Sequence, residues 1–220
     1  MDPRHSRITS IALQAIGGYG FALAGGYAVS AHGMGDRLSS DVDLFTDWPS
    51  RSEFPTAVDA AIAALEQHGY AVHVVTRFET FARLLLTESD EPDSEPEKLE
   101  LSADWRAHPP VMSEIGPVLH PDDAVANKMC ALYGRAEARD FLDVDAALQS
   151  GRYSRERLLE LAAASDTGFD REIFSGALSA LEQTTDSDFQ DYGLTADQLT
   201  AMRRRFAEWR TALRAPTIRP

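Results

Sequence analysis

Short apolar runs separated by glycine and proline turns fill the first half of the chain, and they predict alternating strands and helices. The run at residues 21–24, for example, has the length of a buried strand and ends at Gly25 and Gly26. The run at 70–76 is rich in β-branched residues, which favour strands. The predicted elements are helices at 8–16, 27–32 and 55–68, and strands at 21–24, 42–45, 70–76, 81–87 and 98–101.

The pattern changes at Pro121, after which the spacing of apolar residues is helical throughout. Thr195 and Gln198 have the spacing of a capping box and predict the start of the last helix, which Pro216 would stop. The other helices predicted in this half cover residues 122–134, 137–149, 154–164 and 170–183.

The two halves together predict an α+β protein. We expect a mixed sheet with flanking helices in a domain of residues 1–120, followed by an all-helical domain of residues 121–220. The sequence contains no internal repeats.

Composition and charge narrow the classes of function. The longest apolar runs are far shorter than the roughly 20 residues of a membrane-spanning helix, and the N-terminus has no apolar secretion signal, so we expect a cytoplasmic protein with no membrane segment. The single cysteine excludes an intramolecular disulfide. A net charge of −14 is opposite in sign to that of most nucleic-acid-binding proteins, so an RNA substrate would have to meet a local basic patch. The densest basic stretch lies in the last predicted helix, where stabilisation of the helix C-terminus by cations is the alternative; it consists of Arg203, Arg204, Arg205, Arg210 and Arg214.

Two aspartates alternate with apolar residues at the start of a predicted strand, in the segment RLSSDVDLF at residues 37–45. Residues two apart on a strand face the same side, so Asp41 and Asp43 would project together. Carboxylates at close range repel each other unless a cation lies between them. Because hard oxygen ligands suit Mg²⁺ or Mn²⁺, the pair predicts a divalent metal site; acids that only face water at a strand end are the alternative.

Gly25 and Gly26 lie upstream of these acids, at a predicted turn from strand to helix. Backbone N–H groups at a helix start can hold a phosphate, and glycine permits close approach of the backbone. A plain tight turn would use glycine as well. The combination with Asp41 and Asp43 favours a nucleotide-phosphate site.

A wider set of residues resembles the nucleotidyltransferase motif of the AbiEii type of bacterial toxin, within the DNA polymerase β-like superfamily. In the first half the matching residues are Gly25, Gly26, Tyr27, Ala28, Val29, His32, Arg37, Ser39, Asp41, Asp43 and Leu44. In the second half they are Lys128, Ala131, Leu132, Arg135, Arg139, Asp140, Phe141, Leu142 and Asp143. The commonest superfamily pattern has Gly-Ser where this chain has Gly-Gly, which removes one hydroxyl from the phosphate site.

The resemblance implies a minimal nucleotidyltransferase domain followed by a helical domain. It also implies a toxin of a toxin–antitoxin or phage-abortive system, with a cognate antitoxin protein as partner. Asp41 and Asp43 would bind the metal, and a third acid is expected on a neighbouring strand. Glu100 is the best local candidate, either as a metal ligand or as the acceptor of a proton from the attacking hydroxyl; an exposed strand residue in an acid-rich chain is the alternative.

The remaining matched residues would bind the nucleotide. Lys128 would neutralise charge on the triphosphate, and Arg37 and Ser39 would bind phosphate. Asp140 or Asp143 would orient Lys128 or touch the nucleotide. The alternatives are a solvated lysine, an arginine that neutralises a nearby acid, and salt bridges on a helix surface.

The expected reaction is in-line attack by an acceptor hydroxyl on the α-phosphate of a nucleoside triphosphate, with release of pyrophosphate. By family analogy alone, the acceptor is the 3′ end of an RNA, with tRNA first. The alternatives are transfer to a protein or small-molecule hydroxyl, and an inactive nucleotidyltransferase-fold module that binds a partner.

Overall fold

The computed structural model of the protein describes residues 1–215. The predicted stop of the last helix at Pro216 lies outside the described residues. The first helix, α1, spans Pro3–Ile16 and begins earlier than its apolar spacing predicts. Its N-terminus is set by Asp2, whose side chain accepts a 2.8 Å hydrogen bond from the Arg4 N–H, and by a proline at the first helical position, where no N–H is needed.

Strands and short helices then alternate as predicted through the first half. The elements are β1 at Ala22–Leu23, α2 at Gly25–Ala31, β2 at Val42–Asp47, α3 at Phe54–Gln67, β3 at Tyr70–Arg77, β4 at Phe81–Glu88, β5 at Glu97–Asp104, β6 at Val111–Ser113 and β7 at Gly116–Val118. No sequence pattern predicts β6 and β7, because three residues are too few to establish a period.

The seven strands form one mixed sheet in the order β3-β4-β5-β2-β1-β7-β6. Strand β2 lies between β5, to which it is parallel, and β1, to which it is antiparallel. Along β5, Leu99 and Leu101 are buried and Glu100 faces the other side of the sheet. Asp43 of β2 is the register partner of Glu100, so two of the predicted acids are neighbours across adjacent strands.

Nearly all of the second half is helical. The helices are α4 at Pro121–Gly134, α5 at Ala138–Gln149, α6 at Arg155–Ser165, α7 at Arg171–Ala177 and α8 at Ala196–Arg214, with 3₁₀ segments at Leu178–Gln183 and Asp186–Tyr192. The predicted capping box is present, since Thr195 and Gln198 each bond the other's backbone N–H. None of the helices within residues 1–215 has the length and apolar character that crossing a membrane requires.

The chain divides into two compact units. The first consists of Met1–His32 and Asp36–Ala124, and the second of Gly33–Gly35 together with the chain from Val125 onward. The first unit contains the sheet, α1, α2 and α3, and Val42, Leu44 and Leu99 lie in its core. In the second unit, Phe206 and Trp209 of α8 are almost completely buried. The limits 1–120 and 121–220 stay a prediction about independently folding domains.

Candidate active site

Asp41, the first aspartate of the predicted metal pair, is buried immediately before β2, and both of its carboxylate oxygens are bonded. Ser39 Oγ donates to Oδ1 at 2.9 Å. Lys98 Nζ, from the neighbouring strand β5, lies 2.7 Å from Oδ2. Charge-assisted bonds of this kind fix the direction of a carboxylate as well as its position. Asp41 is therefore held in place on the side of the sheet that Lys98 faces.

Glu100 belongs to the same group of charges. Lys98 Nζ lies 3.7 Å from Glu100 Oε1, and Arg83 Nε of β4 donates to that oxygen at 2.9 Å. Asp43 is next to Glu100 through the register of β2 and β5. The structure thus brings together the three acids that the sequence nominated, along with two cations, on one face of three adjacent strands.

This donor set fits a divalent cation. Asp41, Asp43 and Glu100 offer carboxylate oxygens, the hard ligands that Mg²⁺ and Mn²⁺ prefer. The Lys98 ammonium is bonded to Asp41 and lies near Glu100, so two of these carboxylates already gather around a positive charge. Asp41, Asp43 and Glu100 are the residues that would hold the ion.

Gly25 makes a close approach to Asp43. It has a φ of +59°, in the left-handed region that glycine adopts at little cost. A Cβ at this position would collide with the Asp43 carboxylate. The Ala24 N–H also donates to the main-chain oxygen of Asp43 at 2.8 Å, which fastens the turn to β2. The start of α2 and the second aspartate are therefore neighbours, and only glycine fits between them.

Gly26 packs against the predicted phosphate-binding residues. A Cβ on Gly26 would lie 2.7 Å from Arg37 Nη2 and 3.2 Å from Ser39 Oγ. Ser39 in turn bonds Asp41. The structure therefore brings the glycine turn, the arginine and the serine together beside the first aspartate.

A buried chain of hydrogen bonds supports the Ser39 backbone. The Tyr27 hydroxyl donates to Ser39 O at 3.1 Å, His5 Nδ1 lies 2.7 Å from that hydroxyl, and His5 Nε2 lies 2.8 Å from Glu97 Oε2. The hydroxyl has one proton, which it donates to Ser39 O, so it accepts in its contact with His5 Nδ1. Burial raises the pKa of Tyr27, which keeps the hydroxyl available as a donor.

In the second unit, Lys128 of α4 and Asp143 of α5 form an ion pair. The distance from Lys128 Nζ to Asp143 Oδ2 is 2.9 Å, and the two side chains are only 10% and 5% exposed. A buried charge needs such a partner because its hydration is lost. This contact supports the interpretation in which Asp143 orients Lys128.

Asp140 has a different set of contacts. Its carboxylate is fully buried and accepts bonds from Arg135 Nε at 2.9 Å and Arg135 Nη2 at 2.8 Å. It also accepts the Glu137 N–H and completes the capping box at the start of α5. These contacts favour the salt-bridge interpretation of Asp140 over a role at the nucleotide.

Three arginines of α8 form ion pairs with acids of the same unit. They belong to the basic stretch that was considered as an RNA-binding patch. The pairs are Arg203–Asp186, Arg205–Asp145 and Arg210–Glu182. The hydrogen bond from Arg205 to Asp145 raises the pKa of the arginine further. These contacts favour stabilisation of the helical unit as the role of the three arginines.

His108, His120 and Asp122 form a group of side chains that no sequence pattern indicated. One ligand atom from each lies within 4.8 Å of the others. The two imidazole rings are stacked, however, with centroids 4.2 Å apart and planes tilted by 21°. Imidazole nitrogens bind a metal in the plane of the ring, and nearly parallel planes cannot meet at one ion close to both rings. We therefore interpret this group as packing around the start of α4.

Comparison with known proteins identifies the family to which the chain belongs. A family model described as "Nucleotidyl transferase AbiEii toxin, Type IV TA system" matches residues 11–215. The chain belongs to this family. The AbiEii match covers both halves of the chain, so the resemblance seen in the two motifs is confirmed. A search of curated proteins finds no match.

Solved structures share the fold of this AbiEii-family chain at low sequence identity. A candidate nucleotidyltransferase from H. pylori has a TM-score of 0.60 at 18% identity, over 97% of this chain and 96% of that chain. MenT4, a nucleotidyltransferase toxin from Mycobacterium tuberculosis H37Rv, has a TM-score of 0.57 at 18% identity, over 96% and 84%. JHP933 from Helicobacter pylori has a TM-score of 0.51 at 16% identity, over 96% and 95%. These matches confirm the predicted mixed sheet with a helical C-terminal region.

Two contacts of the candidate site were not predicted from the sequence. One is the ion pair of Lys98 with Asp41, because the alternation of Lys98, Leu99 and Glu100 puts the lysine on the face of Glu100 but does not show which strand lies beside it. The other is the contact between His5 and Glu97. No local pattern could have indicated it, because the two residues lie on separate elements far apart in the chain.

Proposed function

We propose that this AbiEii-family protein is a metal-dependent nucleotidyltransferase that moves a nucleoside monophosphate from a nucleoside triphosphate to an acceptor hydroxyl. The observation that carries the proposal is the convergence of Asp41, Asp43 and Glu100 beside the Gly25–Gly26 turn. An acidic group next to backbone that permits close approach is the arrangement that a metal-bound triphosphate needs.

Each site residue that the sequence predicts in the first unit has a role in this reaction. Asp41 and Asp43 hold the cation, and Glu100 is the third acid. The glycine turn lets the backbone approach the phosphates, and Arg37 neutralises part of their charge. Ser39 fixes Asp41 through the 2.9 Å bond to Oδ1. In the reaction, the acceptor oxygen forms a bond to the α-phosphorus, pyrophosphate leaves, and the hydroxyl proton is released.

A bound Mg²⁺ or Mn²⁺ ion supplies positive charge that stabilises the attacking and leaving oxygens. Lys128 of the second unit is assigned to the phosphates of the nucleotide. Its positive charge would stabilise the negative charge that builds up on them in the transition state. Asp143, at 2.9 Å, holds the lysine ammonium in a defined direction. Asp140 is assigned to the structure of α5.

The 3′ end of tRNA is the acceptor that we propose. This choice rests on analogy with the nucleotidyltransferase toxin family to which the chain belongs. The net charge of −14 works against a large polyanion, so protein and small-molecule hydroxyls are kept as alternative acceptors. We also propose a cognate antitoxin as partner, which membership of a toxin–antitoxin family supports, and a cytoplasmic site of action.

The experiment incubates the purified protein with total tRNA, Mg²⁺ and each of the four nucleoside triphosphates labelled at the α-phosphate. The control is the Asp41→Ala/Asp43→Ala variant, with its fold checked by circular dichroism. We expect label on tRNA from one or more triphosphates, and none from the variant.

The outcomes separate the alternatives. Label on protein or on a small molecule, with none on tRNA, would replace the acceptor and keep the reaction. Absence of label with every triphosphate and every acceptor would support an inactive binding module instead.

A further inference from the structure

Lys98 is the residue of the candidate site to which the proposed reaction gives no role. Its ammonium lies 2.7 Å from Asp41 Oδ2 and 3.7 Å from Glu100 Oε1. These are two of the three carboxylates assigned to the cation. The Lys98 ammonium, a monovalent cation that belongs to the chain, therefore occupies space between Asp41 and Glu100, two of the ligands proposed for the divalent ion.

Exposure distinguishes the two partners of this ion pair. The Asp41 side chain is 5% exposed and is held from the other side by Ser39, whereas the Lys98 side chain is 29% exposed. The lysine has a long flexible stem and a path to solvent. The aspartate therefore stays in place, and the lysine is the partner that can leave.

The charges around the site determine whether Lys98 or a divalent ion is favoured beside Asp41. Lys98 lies between the negative charges of Asp41 and Glu100 and offsets part of them, and Arg83 offsets part of the charge of Glu100. Without Lys98 the group would repel itself more strongly and would attract a divalent ion more strongly. With Lys98 bound, an ion that takes Asp41 Oδ2 has to displace the ammonium first.

We propose that Lys98 is a tethered counter-ion that competes with the divalent metal for Asp41 and so sets the metal affinity of the site. The ammonium holds Asp41 in its binding orientation before the metal arrives. It swings toward solvent when the ion binds. The inference rests on the proposed metal site, and it makes Lys98 a positioning residue whose role is visible in metal binding itself.

The first test measures Mn²⁺ binding to the full chain by calorimetry, in the absence of nucleotide. Lys98→Met should bind Mn²⁺ about tenfold more tightly than wild type, because a charge-assisted contact no longer opposes the ion. Lys98→Arg keeps the competing charge and should bind no more tightly than wild type. Arg83→Met is the matched control: it removes a cation that touches Glu100 but not Asp41, and its gain should be clearly smaller.

The outcomes distinguish failure of this inference from failure of the proposed function. If wild type binds Mn²⁺, Asp41→Asn abolishes binding, and Lys98→Met binds no more tightly than wild type, then the counter-ion role is wrong and the metal site stands. If neither wild type nor Lys98→Met binds Mn²⁺, both the counter-ion role and the metal site are wrong.

A second test needs no change to Lys98. The chain has two lysines, Lys98 and Lys128, so acylation by an amine-reactive reagent can be assigned to each by mass spectrometry. Saturating Mg²⁺ should speed acylation of Lys98 severalfold in wild type and leave the rate unchanged in Asp41→Asn. The same Lys98 rate with and without Mg²⁺ in wild type would overturn the inference.

Discussion

The two units hold their charged residues in opposite ways. In the first unit, a buried acid, Asp41, is paired with a lysine that is 29% exposed. In the second unit, Lys128 and Asp143 are both nearly buried, at 10% and 5% exposure. The first pair can exchange its cation with solvent, while the second has no partner that is free to leave. The first arrangement suits binding of a mobile ion, and the second suits a fixed charge.

The contacts also distinguish the residues that we assign to the proposed reaction from those that we assign to the fold. Asp140 is the most buried acid of the predicted set, and both of its oxygens serve Arg135 and the start of α5. Asp41 is also buried and bonded at both oxygens, but it shares its cation, Lys98, with a second acid, Glu100.

The largest expected effect is a difference in unfolding free energy between variants of the two lysines. Lys128→Met removes the cation of a buried pair and should lower the free energy of unfolding by about 3 kcal/mol. Lys98→Met removes a partner that is 29% exposed and leaves Asp41 with its bond from Ser39, so it should lower the free energy of unfolding by a smaller amount, about 1 kcal/mol. Denaturant unfolding measures both. Equal losses would contradict the distinction between a fixed and an exchangeable pair.

Gly25→Ala should damage the first unit's site more than its stability. The alanine meets the Asp43 carboxylate and has to adopt a positive φ, so the carboxylate is displaced. Displacement of about 1 Å costs roughly 100-fold in activity. Gly18→Ala is the control, because a Cβ there meets nothing within 4 Å. The same transfer rate in the two variants would argue against a role for the Gly25 contact.

Tyr27→Phe should have a smaller effect. It removes the hydroxyl that bonds Ser39 O and His5, at a cost of about 1–2 kcal/mol in unfolding free energy. Tyr70→Phe is the matched control, since the buried Tyr70 hydroxyl has no hydrogen-bond partner within residues 1–215. Its loss should be neutral or stabilising. Thermal unfolding of the two variants compares them, and a stable Tyr27→Phe would show that the buried chain of bonds adds little.

The smallest effect is a pH dependence at the far ends of β2 and β5, where Asp47 and Asp104 are register partners. Burial raises the pKa of Asp104 above its ordinary value. Burial also acts to raise the pKa of Asp47, but bonds from Ser50 and Arg106 outweigh it and lower the pKa. The ionised form of Asp104 is therefore unfavourable in the folded state, and that of Asp47 is favourable.

Opposite changes follow for the two amide variants. Asp104→Asn should stabilise the protein at neutral pH, with the gain vanishing as pH falls through the raised pKa of Asp104. Asp47→Asn should destabilise it above the ordinary aspartate pKa, with the loss vanishing as pH falls through the lowered pKa of Asp47. Each change should stay within about 1 kcal/mol. Melting temperatures between pH 3 and 7 measure both, and parallel curves for the two variants would contradict the assignment.

Much of the fold is legible in the sequence because its elements carry their own signals. The helix at Phe54–Gln67 and the strand at Tyr70–Arg77 follow from apolar spacing and a glycine turn, and the box at Thr195 marks the last helix. β6 and β7 are too short to produce a period. Local sequence patterns do not determine the order of the strands. The sequence therefore identified Asp43 and Glu100 as candidate site residues but could not predict that they are neighbours.

Some features of the candidate site could also be predicted from the sequence, and others could not. Asp41, Asp43 and the glycine turn are predictable because all of them lie within one short stretch of the chain. The pairing of Lys98 with Asp41 and of Asp143 with Lys128 depends on how strands and helices pack, and residue spacing alone left each open. Asp140 and Asp143 lie three residues apart on one helix, and their different contacts emerge only from the structure.

The most direct test of the metal-dependent transfer compares two aspartates of the same strand, Asp43 and Asp47. Wild type, Asp43→Asn and Asp47→Asn are incubated with α-labelled triphosphates and total tRNA, with and without Mg²⁺. We predict Mg²⁺-dependent transfer in wild type, a loss of about 100-fold or more in Asp43→Asn, and a rate close to wild type in Asp47→Asn. Transfer by Asp43→Asn at the wild-type rate, or transfer without any divalent metal, would contradict the account.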